Sequence, residues 1–333
     1  MVRSFAFTVQ GQLHLRDIEA FLMPTLLTDT NLFLWVDLED PTPEETRFYL
    51  EEVFHFHPLS IEDCVVEHPT PKVEEYLPKE GDLFEPYLFI VTHAIDFRLQ
   101  EGHIRTQELN FFLGRNFLVT YHPASCRPVE RIAERCLRGD VFPARAPDRV
   151  AHLLLDAVVE GYQPPLDEIA QAVAEIEEEV LGEASGEQVL SRIIHLKKEV
   201  NQLSRIIAPQ RDLIRRFANG EFQMIRPQML PYFRDVHDAF VRLSERVQSY
   251  LDALTSILQV YLNISSYRTS EIVKVLTIIT VITMPLMLVG TWYGMNFRHM
   301  PELESPLGYP IAAAVTLLWT VGVAYYFRRK KWW

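Results

Sequence analysis

The chain has 333 residues, with 45 acidic against 32 basic side chains and a formal charge of −13. That balance excludes nucleic-acid binding, which needs a basic footprint, and suits a solvated acidic body that attracts cations. Cys64, Cys126 and Cys136 are odd in number and lack metal-ligand or CxxC spacing, so they read as reduced structural thiols.

Residues 1–12 lack the charged-then-apolar pattern of a secretion signal, which places the soluble part in the cytoplasm. Residues 1–146 alternate strand-like and helix-like segments. A strand is expected over 33–38. Thr42-Pro43-Glu44-Glu45 then supplies an N-cap, a proline at the first helical position and a capping-box glutamate. The helix that it opens should run to about Phe54. His55 and His57 would face one way on a strand and could hold zinc there, although no third ligand is evident. Residues 87–97 and 105–113 read as strands, and Gly114-Arg115-Asn116 turns the chain into another over 117–122. This order predicts an α/β domain, a sheet covered by helices.

From Pro147 the strand signal ends, and 147–230 predicts a long helical hairpin. One helix should cover 148–182, with Glu175, Glu177, Glu178 and Glu179 on a solvated face. Gly182 and Gly186 break the chain, and a second helix should follow over 187–219. A stalk helix is expected over 231–270. There Phe240, Leu243, Val247, Tyr250, Leu254, Ile257, Tyr261 and Ile264 keep the 3-4 spacing of a coiled-coil-like seam. No glycine or proline intervenes between Pro231 and Pro285. The same helix can therefore run on to Tyr293, roughly 90 Å from Tyr232 at 1.5 Å per residue.

Two stretches free of Lys, Arg, Asp and Glu close the chain, 275–297 and 305–327. Each can cross about 30 Å of hydrocarbon. Transmembrane helices are expected over 271–293 and 309–327, joined by an outward loop over 294–308 and followed by a basic tail over 328–333. Arg328, Arg329, Lys330 and Lys331 set that tail in the cytoplasm, and two crossings return the N-terminal domain to the same side. The first span carries Thr277, Thr280, Met284, Met287 and Thr291 at 3-4 spacing. Such a semi-polar stripe serves either helix packing or the wall of a watery path. Pro285 removes one backbone hydrogen bond, and Gly294 would permit a turn that a side chain obstructs. There is no GxxxxGK[ST] run, catalytic triad or complete metal motif, so no enzyme is indicated.

Tyr293-Gly294-Met295-Asn296-Phe297, with Met300-Pro301-Glu302-Leu303 downstream, resembles the signature of the CorA family of divalent-cation channels. The stretch from Lys274 to Ile279, Met284-Pro285 and the basic-aromatic C-terminus agree with it. So do the soluble segments 57–63, 71–74, 111–116 and 231–236. The resemblance covers nearly the whole chain; ZntB, a related zinc transporter, shares the Gly-Met-Asn motif.

The resemblance implies a funnel-shaped homopentamer in the cell inner (plasma) membrane. Each subunit would have an α/β cytoplasmic domain with a long helical hairpin and stalk helix, plus two transmembrane helices. The first spans would line one pore with Ser270, Val273, Leu276, Thr280, Met284, Met287 and Thr291, so Leu276 displaces Thr277 from the stripe. Gly294, Met295 and Asn296 would form the selectivity filter, with Glu302 the acidic residue of the outer loop and Arg298 near it. The implied cargo is Mg²⁺, with Co²⁺ or Ni²⁺ also passing, drawn inward by the membrane potential. A ZntB-like Zn²⁺ transporter, proton-coupled, and a membrane-anchored ion sensor without transport are the alternatives. Regulatory Mg²⁺ would bridge neighbouring subunits through Asp63 and Asp235, with Glu62 adjacent and Asp156 a further ligand. Ser270 stands where the best-known members carry asparagine, and Met287 where some carry threonine.

Overall fold

The computed structural model describes residues 1–96, 105–138, 144–182, 187–296, 300 and 305–332. Within it the chain forms two units, Met1–Ile257 and Leu258–Trp333. In the first, apolar alternation builds a sheet of seven strands: β1 (Val2–Thr8), β2 (Leu13–Arg16), β3 (Leu32–Glu39), β4 (Lys72–Tyr76), β5 (Tyr87–Asp96), β6 (Arg105–Gly114) and β7 (Phe117–His122). Their order is β2-β1-β3-β7-β6-β5-β4. Only β3 and β7 pair in parallel, in register from Leu34 opposite Phe117 to Glu39 opposite His122.

Both faces of this sheet are covered. Leu34, Val36, Tyr87, Phe89, Val91, Phe112 and Val119 pack with Leu50, Phe54, Phe56 and Ile61 in one core. The alternate residues Phe5, Phe7, Trp35, Leu88, Ile90, Phe111 and Leu118 point to the opposite face and are buried as well. Helix α5 (Pro147–Gly161) packs against β3, β5, β6 and β7, after the short helices α1 (Met23–Leu27), α2 (Pro43–Arg47), α3 (Pro58–Val65) and α4 (Arg127–Leu137).

The capping box is present: Glu45 N donates to Thr42 Oγ1 at 3.2 Å, and Thr42 N donates to Glu45 Oε2 at 2.9 Å. The helix it opens does not stay regular to Phe54. It widens to π geometry over Phe48–Val53, burying both Leu50 and Val53. His55 and His57 are not on a strand. His55 adopts a left-handed φ of 54°, and its Nδ1 donates to the Glu51 carbonyl at 2.9 Å. His57 caps α3, accepting from Leu59 N at 3.2 Å. One nitrogen of each ring is thus engaged locally. At the β6–β7 turn, a Cβ on Gly114 would collide with the Phe117 ring, so the close approach requires glycine there.

The helix expected over 148–182 is two helices. α5 ends at Gly161, and α6 (Gln163–Leu181) restarts with proline in its first turn, where a missing N–H costs least. Tyr162 at the junction is fully buried. Its hydroxyl donates to the His93 carbonyl at 2.7 Å and accepts from Gln210 Nε2 at 2.8 Å, while Gln210 Oε1 accepts from His93 N at 2.9 Å. The β4 register ends with Lys72 opposite Val91. Two side chains thus satisfy the β5 backbone where the neighbouring strand has stopped. Gln210 belongs to α7 (Glu187–Ala218), so this ring of bonds ties helices to sheet.

Helix α8 runs without interruption from Leu230 to Tyr293. Its seam is buried at Phe240, Leu243, Val247, Leu254 and Ile257. Around it Arg246 holds Gln163 and Asp167 of the α6 turn, and Lys197 of α7 donates to Thr255. The heptad-like spacing therefore serves packing within the chain.

A buried ionic pair fastens the central strands. Asp37 accepts from Thr120 Oγ1 at 2.6 Å, Arg3 Nη2 at 2.7 Å and His122 Nε2 at 3.1 Å. His122 Nδ1 faces the Ala124 carbonyl at 2.6 Å. Both ring nitrogens meet acceptors, so both carry protons, as an imidazolium does. Burial opposes the charges on both groups, yet hydrogen bonding and opposite charge win: His122 titrates above its ordinary value and Asp37 below. A raised histidine stabilises the fold fully below about pH 6.5 and loses that contribution as pH rises through its folded value. Melting temperature should accordingly fall as pH is raised from 6 to 9 in the intact protein (an illustrative range of roughly three units around that value). In His122→Phe the slope should be flatter over the same range.

Candidate ion pathway and carboxylate cluster

The second unit contains the lower part of α8 and helix α9 (Gly308–Arg329). Their most apolar stretches have mean hydropathies of 2.4 and 1.5 and are almost wholly unburied. Ile272 is 69% exposed and Leu318 72%. A core helix of a water-soluble protein would bury such faces, whereas hydrocarbon accepts them.

Within α8 the threonines satisfy themselves. Thr277, Thr280, Thr283 and Thr291 donate to the carbonyls four residues back, of Val273, Leu276, Ile279 and Met287, at 2.7–2.9 Å. Each hydroxyl hydrogen is thereby committed, and each oxygen keeps lone pairs free to accept. Ser270, Val273, Leu276, Thr280, Met284, Met287 and Thr291 are all exposed in the single chain. A different side of α8 faces α9. Ile282, Thr283, Leu286, Val289, Gly290 and Tyr293 line a cleft of about 730 Å³ with Tyr309, Ala312, Thr316 and other residues of α9. The stripe and the cleft face are roughly 140° apart around the helix.

At the end of α8 the Gly294 N–H donates to Gly290 O at 3.0 Å. Gly294 is not among the residues of positive φ. A Cβ there would stand 3.0 Å from the same carbonyl oxygen, so tight approach, rather than left-handed backbone, favours glycine. Met295 and Asn296 are exposed. Arg298 and Glu302 lie outside the described residues. At the other end Lys331 takes a left-handed φ of 55°. Trp332 folds back onto Phe327, ring centroids 5.6 Å apart, leaving Arg328, Arg329, Lys330 and Lys331 exposed together.

The carboxylates singled out in the first unit fall into two groups. Asp156 lies on α5 and Asp235 on α8. Burial, then the charges of Glu160 and Asp235, push the Asp156 carboxyl above its ordinary value, with Arg131 and Arg149 only partly offsetting them. His152 one turn away is held neutral: burial and Arg149 bring it down to about 4. Asp63 and Glu62 lie on α3, and Glu62 is exposed. Asp63 accepts from His68 Nε2 at 3.1 Å and is held by Lys72 Nζ. Although burial acts the other way, those two bases keep its carboxyl below the ordinary value.

Among the described residues no three His, Cys, Asp or Glu side chains are grouped to hold a metal. The Asp156–Asp235 pair has the right chemistry for Mg²⁺, hard oxygens whose charge Arg131 and Arg149 only partly offset, but a single chain supplies too few of them. Sequence reasoning missed Glu160, Lys72 and His68. Lys72 sits in the quoted segment 71–74, where nothing in its spacing marks it as a partner of Asp63.

An α/β unit joined in one chain to two helices fit for lipid defines a membrane-anchored protein with a large water-soluble domain. The chain belongs to the CorA family: the model of the CorA-like Mg²⁺ transporter protein matches residues 31–329. It is 31% identical over 318 residues to the cobalt/magnesium transport protein CorA of Thermotoga maritima, covering 95% of this chain and 87% of that one. The complete CorA magnesium transporter from Methanocaldococcus jannaschii aligns with a TM-score of 0.77 at 21% identity, covering 99% of this chain and 98% of its own. The ZntB cytoplasmic domain from Vibrio parahaemolyticus aligns at 0.57 and 16% identity, covering 71% and 88%. These two structural likenesses are of fold.

Asp156→Asn removes a charge that Glu160 and Asp235 both repel. In divalent-free buffer it should raise the melting temperature by on the order of 2 °C; a lower value would mean that the carboxylate is locally compensated.

Proposed function

We propose that this chain is the subunit of a homopentameric channel in the cell inner membrane, with both termini cytoplasmic. It would admit Mg²⁺ down the membrane potential, and Co²⁺ or Ni²⁺ as further cargo. The observation that carries this reading is the stripe on α8: exposed, turned away from α9, and bearing at Thr280 and Thr291 oxygens whose hydrogens are already committed. A hydrated cation points its water hydrogens outward, so free acceptors at those two levels suit it. Mg²⁺ gives up those waters reluctantly. Five Asn296 carboxamides could accept from the shell without stripping it, where a carboxylate ring would bind harder and release more slowly. Gly294 and Met295 complete that collar, with Glu302 in the outer loop. Leu276 and Met284 give apolar rings that close by dewetting. The potential supplies about 2.3 kcal/mol per charge per 100 mV, twice that for a divalent ion.

Regulation follows from the carboxylates. Asp156 and Asp235 repel within one chain, and Asp63 with Glu62 from a neighbouring subunit would complete an oxygen site. Cytosolic Mg²⁺ held there stabilises the closed assembly by mass action.

Flux into liposomes tests the pore. Asn296→Ala should abolish Mg²⁺ uptake while the assembly stays intact, and normal flux would reject the collar. Zinc uptake that follows an imposed pH gradient would move the reading to a ZntB-like transporter. Absence of flux with every divalent ion would leave a membrane-anchored sensor.

Asp235→Ala should need more Mg²⁺ for protection from protease. An unchanged titration would remove Asp235 from the regulatory set.

A further inference from the structure

Lys72 opens β4, and Glu74 and Tyr76 follow on the same face of that strand. The ammonium is held between two carboxylates. It binds Asp63 Oδ2 on one side and Glu74 Oε1 on the other at 3.1 Å, and it lies 5.8 Å from the centre of the Phe89 ring. Tyr76 Oη donates to the remaining Glu74 oxygen at 2.9 Å. His68 takes Asp63 Oδ1. Both oxygens of Asp63 are therefore occupied by basic groups of its own chain, and the three side chains are each about one-quarter exposed.

A carboxylate so engaged is not open to a divalent ion. The ion must first displace the ammonium, and that displacement sets how much Mg²⁺ is needed. Glu74 makes the exchange feasible, because the released ammonium keeps one partner instead of being stranded. Among the described residues Asp156 and Asp235 show no such occupant: the bases near Asp156 act at a distance and leave it raised.

We propose that Lys72 is a tethered competitor for the divalent cation at Asp63, with Glu74 as its alternative seat, and that this pair sets the Mg²⁺ concentration at which the site fills. The proposal rests on the reading of Asp63 as a regulatory ligand. Lys72 touches no cation itself; it acts by occupying the ligand. A partly exposed ion pair of ordinary strength shifts such a competition roughly two- to five-fold.

The test is protection of the full-length protein in detergent against protease, titrated with MgCl₂ at constant ionic strength. Lys72→Met should reach half-protection at roughly two- to five-fold less Mg²⁺. Glu74→Gln, which leaves the ammonium only Asp63, should require more. Lys72→Arg keeps the charge and should need at least as much as the parent, and Asp63→Asn should need more.

If Asp63→Asn raises the requirement while Lys72→Met leaves it unchanged or raises it, the competitor role falls and the regulatory reading stands. If Asp63→Asn changes nothing, both fall. Should Lys72→Met fail to fold, Glu74→Gln decides alone: an unchanged or lower requirement overturns the proposal.

Discussion

Hydrocarbon offers no hydrogen-bond partners, so each polar atom on a spanning helix must be satisfied by that helix or be left facing water. The threonines of α8 meet the first condition by donating to carbonyls one turn back. What remains on each oxygen is acceptor capacity alone. A helix can thus carry hydroxyls through a bilayer at little cost and still present a surface chemically biased toward cations. Asn296 brings donors as well as an acceptor, and it stands beyond the last helical turn, where water can serve both.

The α/β unit and its helices manage charge in three ways. Asp37 and Asp148 are buried and matched: Arg226 Nε and Nη2 hold Asp148 at 2.8 and 2.6 Å, in the fork geometry that makes such pairs strong. Glu108 is buried without a salt bridge among the described contacts. It accepts from His68 N at 2.6 Å and Asn110 Nδ2 at 2.7 Å, and burial raises its carboxyl all the same. Asp156 is half-buried beside other acids. The first kind fixes the fold, and the last has something to gain from a cation. An acidic total of −13 says nothing about which carboxylate plays which part.

The readable portions of the fold were those set by short-range patterns. β3 announced itself as an apolar run, α2 by its capping box, and α8 by the absence of glycine and proline between Pro231 and Pro285. β2 and β4 escaped because they are edge strands with largely uncovered side chains, and exposure erases the alternation that marks a strand. The Tyr162 break lay in plain sight in Pro164-Pro165. Glutamates and apolar residues continue in helical rhythm on either side, so periodicity alone bridges it. Of the site, the stripe from Thr280 to Thr291 was open to spacing arguments. The partnership of Asp63 with Lys72 joins a helix to a strand, and no local pattern encodes a contact of that kind.

The three cysteines bear on how the molecule can be interrogated. Cys64, Cys126 and Cys136 are all buried. Burial raises the Cys64 thiol and pushes that of Cys136 up to about 12, leaving almost no thiolate to react near neutrality. Maleimide or methanethiosulfonate reagents should therefore pass over the native sulfurs. Spin labels or fluorophores can be installed at chosen positions without first stripping the background, and the interior packing stays as nature left it.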